Sequence, residues 1–462
     1  MKKLFFLLVV MFLPLLCGAE PTKVKYPGGR CYMFRLYLTD KRGTPFSLSR
    51  PEEFLSAKAL SRRERQRLAV DSTDLPVSPR YVEAVEEQGM EVVSRSKWNN
   101  TLLIRTHNQK AQRTLESLPF VSRAMRVFTS PDSLEKPMRM NYRADFNSWD
   151  TISGGTYGVT EEQVRLLGGT RLHQAGYRGN GMTIAVLDGG FMNVDVIPCM
   201  TSIKIAGVRD FVVPRSQDVF KEMDHGTMVL STMAVNVPGK FMGTAPEATY
   251  WLLRCEDVQT ESPAEEDYWA AAAEFADSVG VDVINSSLGF HAFDDKTLNH
   301  TYGQLDGQQT LISHTASMLA SKGIVLVNSA GNDGMGTWKK INFPADAEDI
   351  ITVGSISPNR MNAAFSSIGP TADGRVKPDV MALGSPATVI TGRGTIRRDI
   401  GTSFSAPQVA GLVACLWQAL PQCTALEVIQ LVRHSADQFV TPDDVFGYGV
   451  PDFWRALALG KN

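Results

Sequence analysis

The sequence predicts an α/β protein, with a three-layer domain whose mostly parallel central sheet has helices on both faces, preceded by a small α+β domain. From residue 158 onward, predicted strands alternate with predicted helices, which is the pattern of a parallel sheet covered on both sides. The residues before this point differ in charge and in the spacing of their predicted elements. Hydrophobic residues make up 43% of the 462-residue chain, enough for a packed core.

Residues 1–19 have the features of a secretory signal peptide. Two lysines precede an apolar run over residues 4–16, and small residues follow from Cys17 to Ala19, where we expect cleavage. The run is too short to span a bilayer, and no later run is apolar enough, so we expect no membrane span. A lipid anchor on Cys17 is a less favoured alternative, because Leu16 stands where a small residue is usual. The protein is therefore expected outside the cytoplasm, either secreted or periplasmic.

Residues 20–145 form the predicted α+β domain. Alternating or β-rich segments predict strands at 32–38, 91–94 and 101–105. A charged segment rich in leucine and alanine predicts a helix at 51–68, and two further helices are predicted at 79–89 and 111–118. The basic run from Arg62 to Arg67 has two interpretations. The favoured one is the solvated face of a helix, and the other is a processing site.

Charge separates the two parts of the chain. Residues 20–150 contain 23 basic and 16 acidic residues, whereas residues 151–462 contain 22 basic and 33 acidic residues. Their opposite net charges, +7 and −11, favour association through long-range attraction. We therefore expect the N-terminal domain to dock on the larger one.

Residues 146–157 predict an exposed linker, because they are rich in Ser, Gly and Asp and lack periodicity. The larger domain is predicted over residues 158–462, with buried strands at 182–187, 249–254, 281–285 and 324–328. Ser262 and Glu265 have the spacing of a capping box, in which each side chain binds the other's backbone amide at the start of a helix.

Three glycine-containing segments carry Asp188, His225 and Ser403, in that order along the chain. A serine hydroxyl becomes a nucleophile when a base removes its proton, and that base must be held in one tautomer by a third group. Each residue also has an ordinary structural interpretation: a turn aspartate, a surface or core histidine and a serine that caps a helix. Their occurrence together favours acyl-transfer chemistry. Asp224 is next to His225, but neighbouring side chains on an extended backbone point apart.

Six segments together resemble the subtilisin-like serine peptidases, from about residue 158 to the C-terminus. They are the segments Ile184–Asp188, Asp224–Thr227, Val283–Gly289, Asn328–Gly334, Phe365–Pro370 with Asp373–Asp379, and Gly401–Pro407. The resemblance implies a subtilisin-like fold and a secreted bacterial serine endopeptidase. In that enzyme an N-terminal propeptide would assist folding and inhibit the enzyme until it is cut.

The resemblance also implies roles for individual residues. Asp188, His225 and Ser403 would form the catalytic triad, and Asn332 would donate to the oxyanion. Two segments would bind substrate and form opposite walls of the pocket for the residue before the scissile bond: Ser287, Leu288 and Gly289, and Ser329, Ala330 and Gly331. The residues after Asp188, Thr227 and Ser403 depart from the commoner family pattern, which leaves the substrate preference open.

We expect no cofactor. The family commonly binds calcium, but the sequence has no acidic loop with clear ligand spacing and no metal-binding Cys/His cluster. The expected partners are a protein or peptide substrate and the chain's own propeptide, without nucleic acid. Cys199, Cys255, Cys415 and Cys423 are interpreted as small buried hydrophobic residues in preference to disulfide partners.

Alternative functions fit the sequence less well. A catalytically silent binding or scaffold protein on the same fold would usually lack a triad residue, and all three are present. An α/β-hydrolase esterase would have the order Ser, Asp, His and a Gly-x-Ser-x-Gly motif. A metallopeptidase would have His-Glu-x-x-His. The chain contains neither motif.

Overall fold

The fold is taken from a computed structural model that describes residues 23–26, 29–135, 149, 152, 154–214, 216 and 218–461. The predicted signal peptide, the last residues of the predicted N-terminal domain and much of the predicted linker lie outside these residues. Two linker residues that are described pack on the larger domain. The indole Nε1 of Trp149 donates to the carbonyl oxygen of Gly394 at 3.3 Å, and Tyr157 is buried. The prediction of an exposed linker is wrong for Tyr157, whereas Trp149 is half-buried and residues 154–156 are exposed.

The N-terminal domain contains a four-stranded antiparallel sheet in the order β3-β4-β2-β5, with a separate two-stranded pair formed by β1 and β6. Its elements are β1 (Lys23–Lys25), β2 (Tyr32–Leu38), α1 (Ala57–Arg65), α2 (Pro79–Glu86), β3 (Glu91–Ser96), β4 (Thr101–Thr106), α3 (Gln112–Glu116), β5 (Val121–Thr129) and β6 (Ser133–Glu135). The predicted strands and the helices at 79–89 and 111–118 are confirmed within a few residues.

The predicted helix at 51–68 is wrong in its extent. A 3₁₀ turn at Pro51–Glu53 is followed by a break, and α1 starts only after Ser56, whose hydroxyl accepts from the amide of Ala59 at 3.2 Å. A serine side chain that caps a helix satisfies one of its unpaired first-turn amides, and this stabilises a new helix start at that position.

The larger domain contains a seven-stranded parallel sheet in the order β15-β14-β13-β12-β7-β11-β8. Its strands and the two flanking hairpins are β7 (Thr183–Asp188), β8 (Lys204–Asp210), β9 (Asn236–Val237), β10 (Phe241–Met242), β11 (Thr249–Arg254), β12 (Val283–Ser286), β13 (Val325–Ser329), β14 (Ile351–Ile356), β15 (Val380–Leu383), β16 (Ala387–Ile390) and β17 (Ile396–Asp399). The four predicted strands are confirmed with small changes in their bounds.

Helices cover both faces of this sheet, as predicted. They are α4 (Glu161–Leu166), α5 (Gly169–Gln174), α6 (His225–Ala234), α7 (Ala264–Ser278), α8 (Leu311–Met318), α9 (Thr402–Ala419), α10 (Ala425–His434) and α11 (Phe453–Gly460). Only half of the predicted capping box forms before α7. Glu265 accepts from the Ser262 amide at 3.0 Å, but the helix begins at Ala264 without a side-chain cap.

Strand β7 shows why both faces of the sheet must be covered. Ile184 and Val186 belong to the hydrophobic core that contains α9, while Ala185 and Leu187 belong to the core on the opposite face that contains α7. Successive side chains of a strand point to opposite faces, so a strand buried on both sides is a continuous apolar run. This packing on both faces of β7 fixes the position of Asp188, the last residue of the strand.

The N-terminal domain docks on α7 of the larger domain. Arg35 on β2 donates to Asp267 at 2.7 Å and to Glu266 at 3.1 Å, and all three side chains are at least 97% buried. Glu274, further along the same helix, accepts from the backbone amides of Lys97 and Trp98. The basic and acidic parts of the chain therefore meet at a buried interface, as their charges predict.

Helix α1 makes a second contact with the larger domain. Arg62 and Arg63 are both 1% exposed and donate to Asp277, at 2.5 and 3.0 Å. The interpretation of this basic run as a solvated face is wrong for these two residues, because Asp277 belongs to a partner domain that sequence spacing does not reveal. Arg65 and Arg67 on the same run are exposed.

Two further properties of the described residues bear on the expectations. None of their helices is long and apolar enough to cross a membrane. The five described cysteines have free thiols, and all but Cys199 are buried. Burial raises the pKa of the Cys199 thiol to about 11.

Candidate active site

Asp188 and His225 form a close pair at the carboxyl edge of the parallel sheet. Asp188 is the last residue of β7 and is fully buried, and His225 is the first residue of α6. The imidazole Nδ1 lies 2.9 Å from Oδ1 and 3.0 Å from Oδ2 of Asp188. A carboxylate on Nδ1 leaves Nε2 free of a proton in the neutral ring, which is the form a general base requires.

Asp224 has a different partner although it precedes His225 in the chain. Its Oδ2 accepts from the amide of Gly392 at 3.0 Å, so its side chain supports the loop after β16. The acid that the structure brings to His225 is the distant one, Asp188.

The charges around His225 favour its protonated form. Burial by itself lowers its pKa, but the charge and hydrogen bond of Asp188, together with the charges of Glu256 and Asp224, raise the pKa of His225 to about 9. An imidazole in this setting stabilises the positive charge that it would acquire on accepting a proton.

Ser403 lies at the start of α9, where backbone amides have no intrahelical acceptor. It is 8% exposed, and its Oγ donates to the carbonyl oxygen of Ser287 at 3.3 Å. It shares a cleft of about 310 Å³ with His225, whose ring centroid lies 5.8 Å from that of the neighbouring Phe404. The cleft is lined by Met223, His225, Glu256, Ser287, Leu288, Gly289, Ser329, Gly331, Asn332, Asp333, Asn342 and Ser403.

Pro407 explains a second contact between Ser403 and Ser287. It lies in the second turn of α9. A proline inside a helix has no N–H for the carbonyl four residues earlier, which here belongs to Ser403. The hydroxyl of Ser287 donates to that carbonyl at 2.9 Å instead. This bond ties one wall of the cleft to the residue at its centre.

Asn332 lines the cleft, and its carboxamide is held from one side. Its Oδ1 accepts from the backbone amide and the hydroxyl of Thr402, both at 3.0 Å, which fixes the carboxamide. The Nδ2 group makes no hydrogen bond to any described residue, and Asn332 lines the same cleft as Ser403.

The two predicted wall segments both reach the cleft, with one exception. Ser287, Leu288 and Gly289 line one side, and Ser329 and Gly331 line the other. Ala330 does not line it, because its side chain is fully buried in the core next to α7. Alternation along an extended chain sends the middle residue of such a segment inward. The backbone carbonyl oxygen of Ala330 still contacts a cleft residue, because it accepts a hydrogen bond from the amide of Asn342 at 3.0 Å.

Comparison with known proteins decides the family. A model of the subtilase family, peptidase S8, matches residues 179–449, more than half of the chain. The chain belongs to the subtilase family. A second model, of the peptidase S8 propeptide domain of Bacteroidota, matches residues 33–143. This subtilase is therefore a serine peptidase by class, with an N-terminal propeptide domain.

Its curated relatives are distant. Subtilisin DY from Bacillus licheniformis is 26% identical over 289 residues, which cover 62% of this subtilase and 93% of that protein. Subtilisin NAT from Bacillus subtilis subsp. natto is 27% identical over 61% of this chain and 65% of its own length. Subtilisin-like protease SBT6.1 from Arabidopsis thaliana is 29% identical over 66% of this chain and 28% of its own. Such identities leave ample room for differences in the cleft.

Glu256 is a cleft residue of this subtilase that the sequence analysis missed. It follows the end of β11, and a β-carbon on Gly189 would lie 2.5 Å from its Oε2, so the carboxyl covers the backbone beside Asp188. Burial, followed by the charge of Asp188, raises the pKa of Glu256 to about 7. The sequence does contain one indication that Glu256 lies in the cleft: its carboxylate follows a buried strand, at the edge of the sheet where α/β folds bind ligands.

Asn342 and Asp333 are two further cleft residues that were not predicted. The Nδ2 of Asn342 donates to Oδ2 of Asp333 at 2.8 Å. Asp333 is next to Asn332 and could have been suspected, whereas nothing in the sequence near Asn342 indicates a functional role. The described residues of this subtilase contain no group of three or more His, Cys, Asp and Glu side chains that could hold a metal ion.

Proposed function

We propose that this subtilase is a secreted serine endopeptidase that hydrolyses peptide bonds through an acyl-enzyme intermediate. The observation that carries the proposal is the Asp188–His225 pair opening onto the same cleft as Ser403. Secretion is inferred from the predicted signal peptide at residues 1–19.

In the proposed reaction, Oγ of Ser403 attacks the carbonyl carbon of the substrate while Nε2 of His225 takes the hydroxyl proton. The free hydroxyl donates to Ser287, so attack requires that this bond be exchanged for one to His225. His225 then gives the proton to the leaving amine, the C–N bond breaks, and a water molecule activated in the same way releases the acid product. Asp188 holds the imidazole and stabilises its charged form.

Charge on the carbonyl oxygen would be stabilised by two donors. One is the Nδ2 of Asn332, whose carboxamide is fixed by Thr402. The other is the backbone amide of Ser403, at the positive end of α9. Fixed donors aimed at a developing oxyanion need no reorganisation during the reaction, which is the source of their catalytic effect.

The proposed nucleophile can be tested by covalent labelling. An organophosphonate reacts with a serine activated by a neighbouring base, so we expect a single adduct on the peptide that contains Ser403. Intact-mass and peptide analysis would locate it, and Ser403→Ala should remain unlabelled. A folded, processed protein that takes no label would favour the second candidate, a silent binding or scaffold protein.

A pH profile tests the role of Glu256. His225 acts as a base only when unprotonated, so kcat/KM should rise with pH through the pKa of His225, which is about 9. Glu256 contributes to that raised pKa, and Glu256→Gln removes its negative charge. The variant should therefore gain activity at lower pH, with its acid limb displaced downward by on the order of one pH unit.

The matched control for this profile is Glu261→Gln. Glu261 is also a carboxyl with a raised pKa on the same side of the molecule, but it does not line the cleft. Its replacement should leave the acid limb within a few tenths of a pH unit of the wild type. Identical profiles for wild type and Glu256→Gln would show that this carboxylate has no influence on His225.

We also infer that the propeptide domain assists folding and inhibits the enzyme. The buried ion pairs of Arg35, Arg62 and Arg63 support a tight association. Strand β6 ends at the last described residues of the domain, and Leu134 on that strand borders a cavity together with Glu222, next to the cleft residue Met223.

A further inference from the structure

Residues 341–343 connect the two walls of the cleft, which are residues 287–289 and residues 329–331. Phe343 exchanges two backbone hydrogen bonds with Phe290, which follows Gly289 in one wall, at 2.9 and 3.0 Å. The amide of Asn342 donates to Ala330 in the opposite wall at 3.0 Å. This segment is therefore the floor of the pocket between the two walls.

The side chain of Asn342 bridges the gap above that floor. A β-carbon on Gly289 would lie 2.9 Å from the Cβ of Asn342, and a β-carbon on Gly331 would lie 2.9 Å from its Nδ2. The side chain is thus in close contact with the backbone of both walls, and it lines the cleft. It occupies volume into which a long substrate side chain would otherwise extend.

Asn342 is held in this position. It is 7% exposed, and besides its backbone bond its Nδ2 donates to Asp333 at 2.8 Å. Asp333 is itself fixed, since its amide donates to the hydroxyl of Ser367 at 3.0 Å. Moving the carboxamide aside would break its partly buried hydrogen bond to Asp333, and the loss of such a bond without a replacement partner is unfavourable. A large substrate side chain cannot displace it without that loss.

We propose that Asn342 makes this pocket shallow and that the enzyme selects a small side chain, that of glycine, alanine or serine, at the residue before the scissile bond. The inference rests on the proposed function, because it assigns the pocket beside Ser403 to that residue of the substrate. It adds the class of peptide bond that the enzyme cleaves.

The test uses the mature enzyme and peptides that differ only at the residue before the scissile bond. Alanine should exceed phenylalanine in kcat/KM by at least about tenfold in the wild type, the order of selectivity that a size-restricted pocket provides. Asn342→Gly removes the bridging side chain and should lower this ratio at least about tenfold, mainly by raising kcat/KM for phenylalanine. Asn342→Leu replaces the carboxamide by an uncharged branched group of similar shape and should keep the preference for alanine.

The possible outcomes distinguish failure of the shallow-pocket inference from failure of the proposed serine peptidase chemistry. Suppose that the wild type is labelled by the organophosphonate and cleaves peptides but prefers phenylalanine or leucine before the scissile bond. This result would overturn the shallow pocket and leave the proposed serine peptidase in place. Absence of both labelling and cleavage would overturn both proposals. If Asn342→Gly does not fold, Asn342→Ala and the wild-type profile still decide the question, because a wild type indifferent to side-chain size contradicts the inference.

Discussion

Replacement of Ser403 by alanine is expected to lower kcat for peptide hydrolysis by about 10⁶-fold, the order of magnitude measured on removing the nucleophile of a subtilisin. Without Oγ no acyl-enzyme can form, and the Asp188–His225 pair has no hydroxyl to activate. The measurement is steady-state hydrolysis of a peptide substrate. Propeptide cleavage, followed by intact mass, should fail in the same variant if the enzyme processes itself.

The same helix provides a matched control. Ser405 is fully buried two residues further along α9, and its hydroxyl donates to the carbonyl of Ala382 instead of lining the cleft. Ser405→Ala removes the same atom type from the same helix, so its turnover should stay within a few-fold of the wild type. Both variants should keep the wild-type circular dichroism spectrum.

Non-additivity gives a further test of the triad. Since Ser403 and His225 act as one unit, the double variant Ser403→Ala/His225→Ala should be no slower than Ser403→Ala alone. Independent contributions would multiply and produce a much slower double variant. Ser403→Ala with turnover close to the wild type would refute the assigned nucleophile outright.

The sequence predicted those parts of the site that depend on local structure. Asp188 ends an apolar run, and Ser403 lies in the first turn of a helix that follows Gly401, and both features can be seen within about ten residues. The edge at which they meet follows from the parallel sheet, because the carboxyl ends of its strands lie together.

The parts that were missed depend on contacts between distant segments. Asn342 becomes a cleft residue only because residues 341–343 pair with Phe290 and Ala330. Arg62 and Arg63 look like solvated residues until Asp277, more than 200 positions away, is brought to them. Neither periodicity nor capping patterns contain such information.

Departures from the family pattern acquire a physical reason in the same way. The residue after Asp188 is Gly189 where the family more often has serine or threonine, and a side chain there would require the carboxyl of Glu256 to shift from its present position. The glycine and the glutamate are therefore one coupled feature of this chain.

Asp277→Ala is expected to weaken docking of the propeptide domain by about 3–5 kcal/mol, the usual loss when one partner of a buried ion pair is removed. Asp277 is fully buried and accepts from Arg62, Arg63 and Lys97. Its removal leaves three cations with reduced compensation. Burial alone would raise the pKa of Asp277, but these three cations hold it below its usual range.

Hydrogen exchange measured by mass spectrometry would report this loss. In the Ser403→Ala background the propeptide domain stays attached, and peptides from α1 and β3 should lose protection by about 100-fold or more in the Asp277→Ala variant. The control is Arg360→Ala, which removes an ion pair to Asp437 whose side chains are 54% and 50% exposed. Exposed pairs contribute about 0–1 kcal/mol, so protection should hardly change.

The sign of the pH effect follows from the lowered pKa of Asp277. A carboxylate with a lowered pKa in the docked state contributes stability at a pH above its undocked pKa, and that stability is lost as pH falls through the docked pKa. Acid should therefore loosen the wild-type interface and have a smaller effect on Asp277→Ala. Equal acid sensitivity of the two proteins would mean that other carboxylates control docking.

The loss in Asp277→Ala should come mainly from uncompensated charge, and a multiple variant can show this. Replacing Arg62 and Asp277 together by leucine removes one charge of each sign and fills the space with apolar groups, which often costs little or stabilises, while Arg63 keeps its pair with Asp74. The double variant should recover part of the protection lost in Asp277→Ala, whereas Arg62→Leu alone would leave Asp277 paired with Arg63 and Lys97. If the losses of protection in the single variants add up in the multiple variant, each side chain contributes independently, as expected for groups that do not interact.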